Sequence, residues 1–374
     1  MRRRKFLKII GGSAAVAAGG TYIWAAPTAT SARAAWQTVG GHTDPMRTAL
    51  SYGILAPNPH NRQPWQVELL SSTEALLYCD DNRHLPVTDP LDRQITIGLG
   101  CFLELFDLAA RRYQYRADID LFPGGAHPVR LDTRPVARLK LTKAGQAPAP
   151  LFTQITQRRT DRKPYSVRPP SEQNLADLRS SAGSLLATSA DGLLCETLRT
   201  ICEDAARIEF MTPRTHAESV ALMRVGRKAV RANPDGISIE GPLMEILNVT
   251  GAMSPKALSD HDSPAFKQGL KMYLDGIASA TSFFWITTPD NSRVSQIAAG
   301  RVYARANLKA TELGLAVHPL SQALQEYPEM APLLTRVHGA LDIKSPARLQ
   351  MLVRIGYGRA KSQSPRWPLE SRVI

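Results

Sequence analysis

Arg158-Arg159-Thr160-Asp161-Arg162-Lys163-Pro164-Tyr165 gathers three guanidinium groups, one ammonium and a hydroxyl within six residues. Guanidinium forks bind phosphate oxygens in pairs, so the segment has the means to neutralise a phosphate dianion. The same residues also suit a solvated helix end, where cations complement the dipole. A second segment, Ala56-Pro57-Asn58-Pro59-His60-Asn61-Arg62-Gln63-Pro64-Trp65, is bounded by prolines and rich in amides. It can present donors and acceptors to a planar polar ring, or simply enter a hairpin. In the carboxyl-terminal stretch, Arg354 and Arg366 offer two further cations.

Other chemistries lack their residues. H-E-x-x-H, G-x-x-x-x-G-K-[ST], G-x-S-x-G and G-x-G-x-x-G are all missing, which argues against zinc hydrolases, P-loop enzymes, serine hydrolases and Rossmann dehydrogenases. The eight histidines are scattered without ligand spacing, so no metal site is expected. Gly98 and Gly100 form a lone G-x-G inside a helical pattern. The four cysteines (Cys79, Cys101, Cys195, Cys202) make no C-x-x-C pair. Cys195 and Cys202 share a face if their segment is helical and could pair in an oxidising compartment, although two turns of helix usually hold Cα atoms too far apart for a disulfide. Four buried, inert thiols are expected.

The elements that must place these segments follow from periodicity and turn chemistry. A helix is expected over Thr43–Leu55, with Thr43 as its cap and Met46, Leu50 and Ile54 on one stripe. Strands are expected at Trp65–Leu70 and Ala75–Tyr78, then a long helix over Asp92–Arg112, then strands at Asp118–Phe122 and Val136–Leu141. Residues 144–150, rich in Ala, Gly and Pro, read as a linker. Beyond it, Leu151–Arg158 and a segment opened by Ser171 read as helical. Residues 193–277 read as mostly helical, broken at Asn233-Pro234-Asp235-Gly236 and Ser254-Pro255. A strand at Ser282–Thr287, a long helix over Ser292–Leu313 and a strand at Leu352–Tyr357 complete the pattern. Each half thus shows a helix and loop, a strand and a long Ala/Leu-rich helix, which suggests a diverged duplication.

A chain of 374 residues, 43% hydrophobic and 21% charged, suffices for a large core of ordinary globular type. The net charge of +13 is concentrated: residues 1–34 carry six Lys/Arg and no acid, leaving about +7 for the remainder. No basic stripe alternates with aromatics, so nucleic acid is not an expected partner. Arg3-Arg4-Lys5-Phe6-Leu7-Lys8 matches the twin-arginine pattern, and a weakly apolar stretch and Ala32-Arg33-Ala34 follow it. Residues 1–34 therefore read as a Tat export signal, with a membrane tether as the alternative if the signal is uncleaved. The expected location is periplasmic or otherwise extracytoplasmic, with the Tat translocase as a partner during export.

The arginine segment, the amide loop and the tail together resemble the nitroreductase superfamily. Its members carry R-R-S-x-R-x-F and A-P-S-x-x-N-x-Q-P-W, then a helix followed by L-G-L and a late basic residue before a proline. Here Arg158–Tyr165, Ala56–Trp65, Leu313-Gly314-Leu315 and Arg366 stand in those places. In the family the arginines precede the loop; here the loop comes first. Two fused halves, one keeping the loop and the other the arginines, would give that order. With the export signal, the chain resembles the Acg-like branch.

The resemblance implies an α+β, nitroreductase-like fold forming an intramolecular pseudo-dimer. Its divisions would be residues 35–143, a linker at 144–150, and residues 151–374 with a helical insertion at about 212–277. It implies one FMN, its phosphate held by Arg158, Arg159, Thr160, Arg162 and Arg366. Asn58, Pro59, His60 and Asn61 would face the ring from the opposite half, and Pro319, Leu320 and Ser321 would lie near its reactive edge. The family's acid and glycine are absent at Ser321 and Gln322. No catalytic residue is implied. Arg62 is, by position, a cation for the ring. The implied activity is hydride or electron transfer through flavin to small aromatic, nitro or quinone-like acceptors. A lid formed by the insertion would instead imply an FMN-sequestering protein. A monomer or weak homodimer is expected.

Overall fold

A computed structural model describes residues 32–145, 149–359 and 362–374. A single turn, α1 (Ala34–Gln37), precedes α2 (Pro45–Gly53). Asp44 caps α2 by accepting from the Arg47 amide at 3.0 Å, and Pro45 occupies the first helical position. The cap is therefore Asp44 and not Thr43, because proline fixes the helical start one residue later.

Strands β1 (Trp65–Leu69) and β2 (Glu74–Cys79) pair across a short turn. Helix α3 (Arg93–Arg112) follows, then β3 (Tyr115–Leu121) and β4 (Ala137–Lys143). The four strands form an antiparallel sheet of order β1-β2-β4-β3.

After the linker region, Pro150–Gln154 is a 3-10 turn and not the helix expected to Arg158. The arginine segment instead runs irregularly because its backbone is drawn onto a strand: the Asp161 amide donates to the Val317 carbonyl at 3.1 Å. Helix α4 (Glu172–Ala182) and strand β5 (Leu186–Ser189) come next. Strand β5 shows no period-two pattern in the sequence; its pairing with β8 (Ser282–Thr288) creates it. Helix α11 (Arg293–Glu312), β9 (Ala316–Pro319) and β10 (Arg348–Gly356) complete a second antiparallel sheet, of order β5-β8-β10-β9.

Taken in chain order within each half, both sheets run first-second-fourth-third. The first and second strands are joined by residues 70–73 in one half and by residues 190–281 in the other. That long connection holds α5 (Gly192–Met211), α6 (Pro213–Ala221), α7 (Gly226–Ala232), α8 (Pro242–Val249), α9 (Pro255–Ser259) and α10 (Pro264–Ala278). Within it β6 (Met223–Val225) and β7 (Ile237–Ile239) pair in parallel, where the sequence suggested helix. Helix α12 (Ala331–Ala340) packs on α5.

Helices α3 and α11 cross at the centre, each buried over most of its length. Gly100 lies against the Ile297 carbonyl and Gly300 against the Ile97 carbonyl, so the two main chains touch. The carboxyl terminus reaches back to the first half: Val373 bridges Val67 in parallel, and the Ile374 amide donates to the Val67 carbonyl at 2.9 Å. All four cysteines are free and buried, as expected, and burial pushes their thiols up.

Candidate functional site

Gly98 of α3 is where the amide loop comes to rest. A Cβ there would lie 3.1 Å from Cβ of Asn58 and 3.2 Å from Cδ of Pro59. The loop is held in a costly shape. His60, Asn61 and Gln63 have φ of 46°, 53° and 52°, a left-handed region that non-glycine residues avoid. Asn58 Oδ1 accepts from the Gln63 amide at 2.7 Å, closing the turn on itself. Gln63 is buried and ties three segments together: its Nε2 donates to the Pro234 carbonyl at 2.8 Å and its Oε1 accepts from the Trp367 amide at 2.9 Å. Strain retained with this much support marks a surface built for something other than stability.

His60, at the crest, has its Nδ1 buried without a hydrogen-bond partner. Burial, then the charges of Arg162 and Arg62, push its pKa down to about 4, so the ring is neutral at pH 7. The loop of one half thus lies against the arginine segment of the other.

The cations divide into two groups. Arg158, buried, donates through Nη2 to the Leu55 carbonyl at 3.0 Å, and its Nε has no partner. Arg366, also buried, donates to the Ile54 and Ala56 carbonyls at 3.1 and 2.9 Å and to Asn61 Oδ1. Burial, then Arg158 and Arg159, depress Arg366 well below the usual guanidinium range. Arg159 donates to the Thr156 and Arg158 carbonyls at 2.8 and 2.6 Å and stands 5.3 Å from the Trp36 ring centre, on which Arg366 also sits at 5.5 Å. Thr160 is half-buried beside them.

Arg162 is apart from that group. It makes no hydrogen bond or ion pair among the described residues, is solvent-accessible, and is nonetheless ringed by enough protein to lower its pKa. Its neighbours are His60, His318 of β9 and Tyr273 of α10. His318 is neutral: burial, then Arg354 and Arg162, hold it well below its ordinary value, and its Nδ1 accepts from Arg354 Nε at 3.1 Å.

Arg354 sets the position of Arg162. It donates to the Asp161 and Lys163 carbonyls at 3.2 and 3.0 Å and to the Gly276 carbonyl, with its guanidinium 4.0 Å from the Tyr165 ring centre. Its donors are taken by these carbonyls, by His318 Nδ1 and by Ser279 Oγ at 3.1 Å, so it is a clamp for the segment and not a ligand-facing cation. Arg62 departs from expectation in the same way. Its guanidinium donates to the Arg83 and Asn82 carbonyls at 3.2 and 2.6 Å, which anchors the loop and leaves the ring-facing role elsewhere. Of the β9 segment, Pro319 pairs with Val353, Leu320 is buried with its amide on the Leu352 carbonyl at 2.8 Å, and Ser321 precedes a 3-10 turn.

Sequence reasoning missed Tyr273, His318 and Trp36. Tyr273 lies in a stretch with no counterpart in the first half, and His318 among histidines without spacing. Only the fold assigns either a neighbour. The long connection is tied to the rest of the molecule at two further places. Glu218 accepts from the Val87 and Thr88 amides at 3.0 and 2.9 Å. Asp235 accepts from Arg83, Arg224 and the Trp367 indole at 2.9, 2.9 and 3.2 Å. A separate open cavity of about 820 Å³ lies among Glu74, Asp107, Arg111, Asp118, Arg138 and Arg301. Its charges pair with one another, as in Arg301 with Glu104 and Asp107 and Arg138 with Glu74. No cluster of metal-ligating residues occurs among the described residues.

No protein-family model matches the chain. It is 26% identical over 338 residues to the candidate NAD(P)H nitroreductase acg of Mycobacterium tuberculosis, covering 86% of this chain and 92% of that one. It is 24% identical over 358 residues to the candidate NAD(P)H nitroreductase Rv3131 of the same organism, covering 90% and 95%. Among solved structures, the FMN-dependent nitroreductase NfnB of Mycobacterium smegmatis aligns at 18% identity and a TM-score of 0.37, over 58% of this chain and 94% of that one. A TM-score that low carries no argument. Along nearly its whole length, the chain is thus similar to Acg-like proteins of the nitroreductase superfamily.

Proposed function

We propose that the chain binds one FMN between the amide loop of its first half and the arginine segment of its second, and acts as an FMN-dependent oxidoreductase on small aromatic, nitro or quinone-like acceptors. The observation that carries this reading is Arg162. It is a solvent-accessible cation with no hydrogen-bonding partner among the described residues, faced across the half boundary by His60. A guanidinium with its donors open can take an anionic or polar ligand in paired hydrogen bonds. The orphaned Nδ1 of His60 and Nε of Arg158 add two unmet donors or acceptors to the same region.

The residues suit an aromatic ring with an anionic tail. Arg158 and Arg159, with Thr160, gather positive charge near Leu55 and would hold the phosphate. Arg366 adds charge there, but its donors already hold the loop carbonyls, so it supports the grip from behind. Arg162, set apart from them, would face the ring, with Asn58, Pro59, His60 and Asn61 as the opposing surface and Pro319, Leu320 and Ser321 at its edge. Bound FMN supplies the hydride and electron chemistry. The chain contributes position, a fixed positive charge beside the ring, and exclusion of water by the long connection.

The matched sheet orders and the reciprocal Gly100 and Gly300 contacts support the further proposal that residues 35–143 and 151–374 are diverged copies forming a pseudo-dimer. Its insertion, put at about 212–277 from sequence, extends to 190–281 as the connection between β5 and β8. Tat export to the periplasm or another extracytoplasmic space stays a proposal resting on Arg3–Lys8, which lie outside the described residues. Ala32 and Trp36, just beyond them, are buried against the tail: the Arg366 amide donates to the Ala32 carbonyl at 2.9 Å and Trp36 Nε1 to the Ser364 carbonyl at 2.8 Å.

A second reading, sequestration of FMN without turnover, draws support from the Glu218 and Asp235 contacts that tie the long connection to residues 83–88 and Trp367. Purified protein decides between them. Flavin absorbance that disappears on unfolding and ultrafiltration establishes the cofactor, and its absence overturns both readings. Photoreduction followed by stopped-flow mixing with nitro compounds, quinones or oxygen then separates turnover from sequestration, since uniformly slow reoxidation supports only the latter.

A further inference from the structure

Between the long connection and the turns after β9, next to Arg162, lies a buried polar cluster that the reading above does not use. Glu209 of α5 is 5% exposed. Its Oε2 accepts from Gln325 Nε2 at 3.3 Å, and Gln322, on the same turn, is its other amide neighbour. Gln322 Nε2 in turn donates to the Tyr273 hydroxyl. Tyr273 is the residue through which the cluster reaches the site. It interacts with Arg162 on one side and Glu209 on the other, and its ring stands 5.7 Å from that of His318. Three atoms here are buried without a partner: Oε1 of Gln322, Oε1 of Gln325 and the Tyr327 hydroxyl.

We propose that Glu209 is the proton-exchanging group of this site, taking a proton from solvent as negative charge accumulates beside Arg162 and returning it as that charge leaves. The inference rests on the flavin-site reading above. Nothing covalent forms on Glu209. The electrons come from an external donor, a reduced nicotinamide or dithionite, the proton comes from water, and the carboxylate becomes a carboxylic acid.

The groups facing Glu209 from each packed element explain why it can do this. From α6 comes Glu218, a like charge, and from α10 Tyr273. Tyr327 and the amides of Gln322 and Gln325 come from the turns after β9. Arg214 of α6 stands 5.6 Å from the Tyr327 ring centre and is paired with Glu329. Burial first, and Glu218 second, push its pKa up to about 7, while the amides oppose them. Negative charge on the far side of Tyr273 raises it again, so proton uptake accompanies reduction only between the two values. Glu209 is a positioning residue in this account, acting through Tyr273 and Gln322, and it supplies an acid where Ser321 does not.

The test is the midpoint potential of FMN-loaded protein followed against pH. In the unaltered chain the potential falls more steeply with pH over a segment that begins near pH 7. In Glu209→Gln that segment disappears while FMN absorbance and affinity are retained. In Glu218→Gln, which removes the like charge, the onset moves to lower pH. The inference is overturned if Glu209→Gln leaves the steep segment in place, or if the unaltered protein holds FMN and shows no such segment. If the protein holds no FMN, the cofactor reading itself fails. Infrared detection of the protonated carboxyl band, lost in Glu209→Gln, reads the same proton without turnover.

Discussion

Gly100 and Gly300 meet where the two central helices cross, and each occupies the space that a side chain on the other would need. A Cβ at position 100 would overlap the Ile297 carbonyl, and one at position 300 the Ile97 carbonyl. The contact reads the same from either side, as in an isologous interface. Cys101 Sγ, 3.1 Å from the Gly300 carbonyl, fills the flank.

Because the obstruction is main chain, it cannot be relieved by turning a side chain. Gly100→Ala or Gly300→Ala is expected to lose about 3 kcal/mol or more, at the upper end of overpacking costs. Thermal or denaturant unfolding measures it. A loss no larger than that of Gly269→Ala, which meets no neighbour, sinks the claim that the crossing requires glycine.

Arg162 and Arg354 should separate binding from folding. Arg162→Gln removes a cation with no hydrogen-bond partner and is expected to leave stability unchanged or slightly higher. FMN affinity falls about tenfold or more, the equivalent of one charge-assisted hydrogen bond. Arg354→Gln strips partners from the Asp161 and Lys163 carbonyls and is expected to cost about 3 kcal/mol or more of stability. Calorimetric melting and flavin titration of both variants check the contrast; equal destabilisation would refute it.

His60 gives a pH signature. Its folded pKa of about 4 lies below its ordinary 6.5, so between those values the unfolded chain binds more protons. Stability therefore rises with pH through that window, is fully present above about 6.5, and is lost as pH falls toward 4. His60→Gln is expected to flatten the dependence by up to about 3 kcal/mol. Urea unfolding at a series of pH values reads the slope.

Asp235 holds the long connection to Arg83, Arg224 and Trp367 at once. Asp235→Ala leaves Arg224 without its carboxylate and Arg83 with Asp80 as the remaining one. Faster FMN release, by about tenfold, and quicker proteolysis near Asn233–Gly236 are the expected outcomes. An unchanged release rate would show that the latch does not govern access.

Much of the architecture was legible because it depends on local pattern. The long helices at 93–112 and 293–312 announce themselves by apolar spacing, and β1 and β2 by alternation flanked by turn residues. The short β5, β6 and β7 were invisible, since three or four residues acquire strand geometry only from a partner. The stretch Leu151–Arg158 read as helix, yet it is a 3-10 turn to Gln154, and just beyond it the Asp161 and Lys163 carbonyls belong to Arg354 and the Asp161 amide to β9.

The sequence alone determined which groups carry charge and which loop is rigid: the arginines at 158–162, the prolines and amides at 57–63, and the absence of familiar catalytic signatures. Tertiary structure decided which of those charges are free. Arg62, Arg354 and Arg366 look as available as Arg162 in the sequence, but backbone carbonyls between 20 and 312 residues away along the chain occupy their donors. A guanidinium binds whichever acceptor the fold brings near, so these three hold main chain while Arg162 stays open to a ligand.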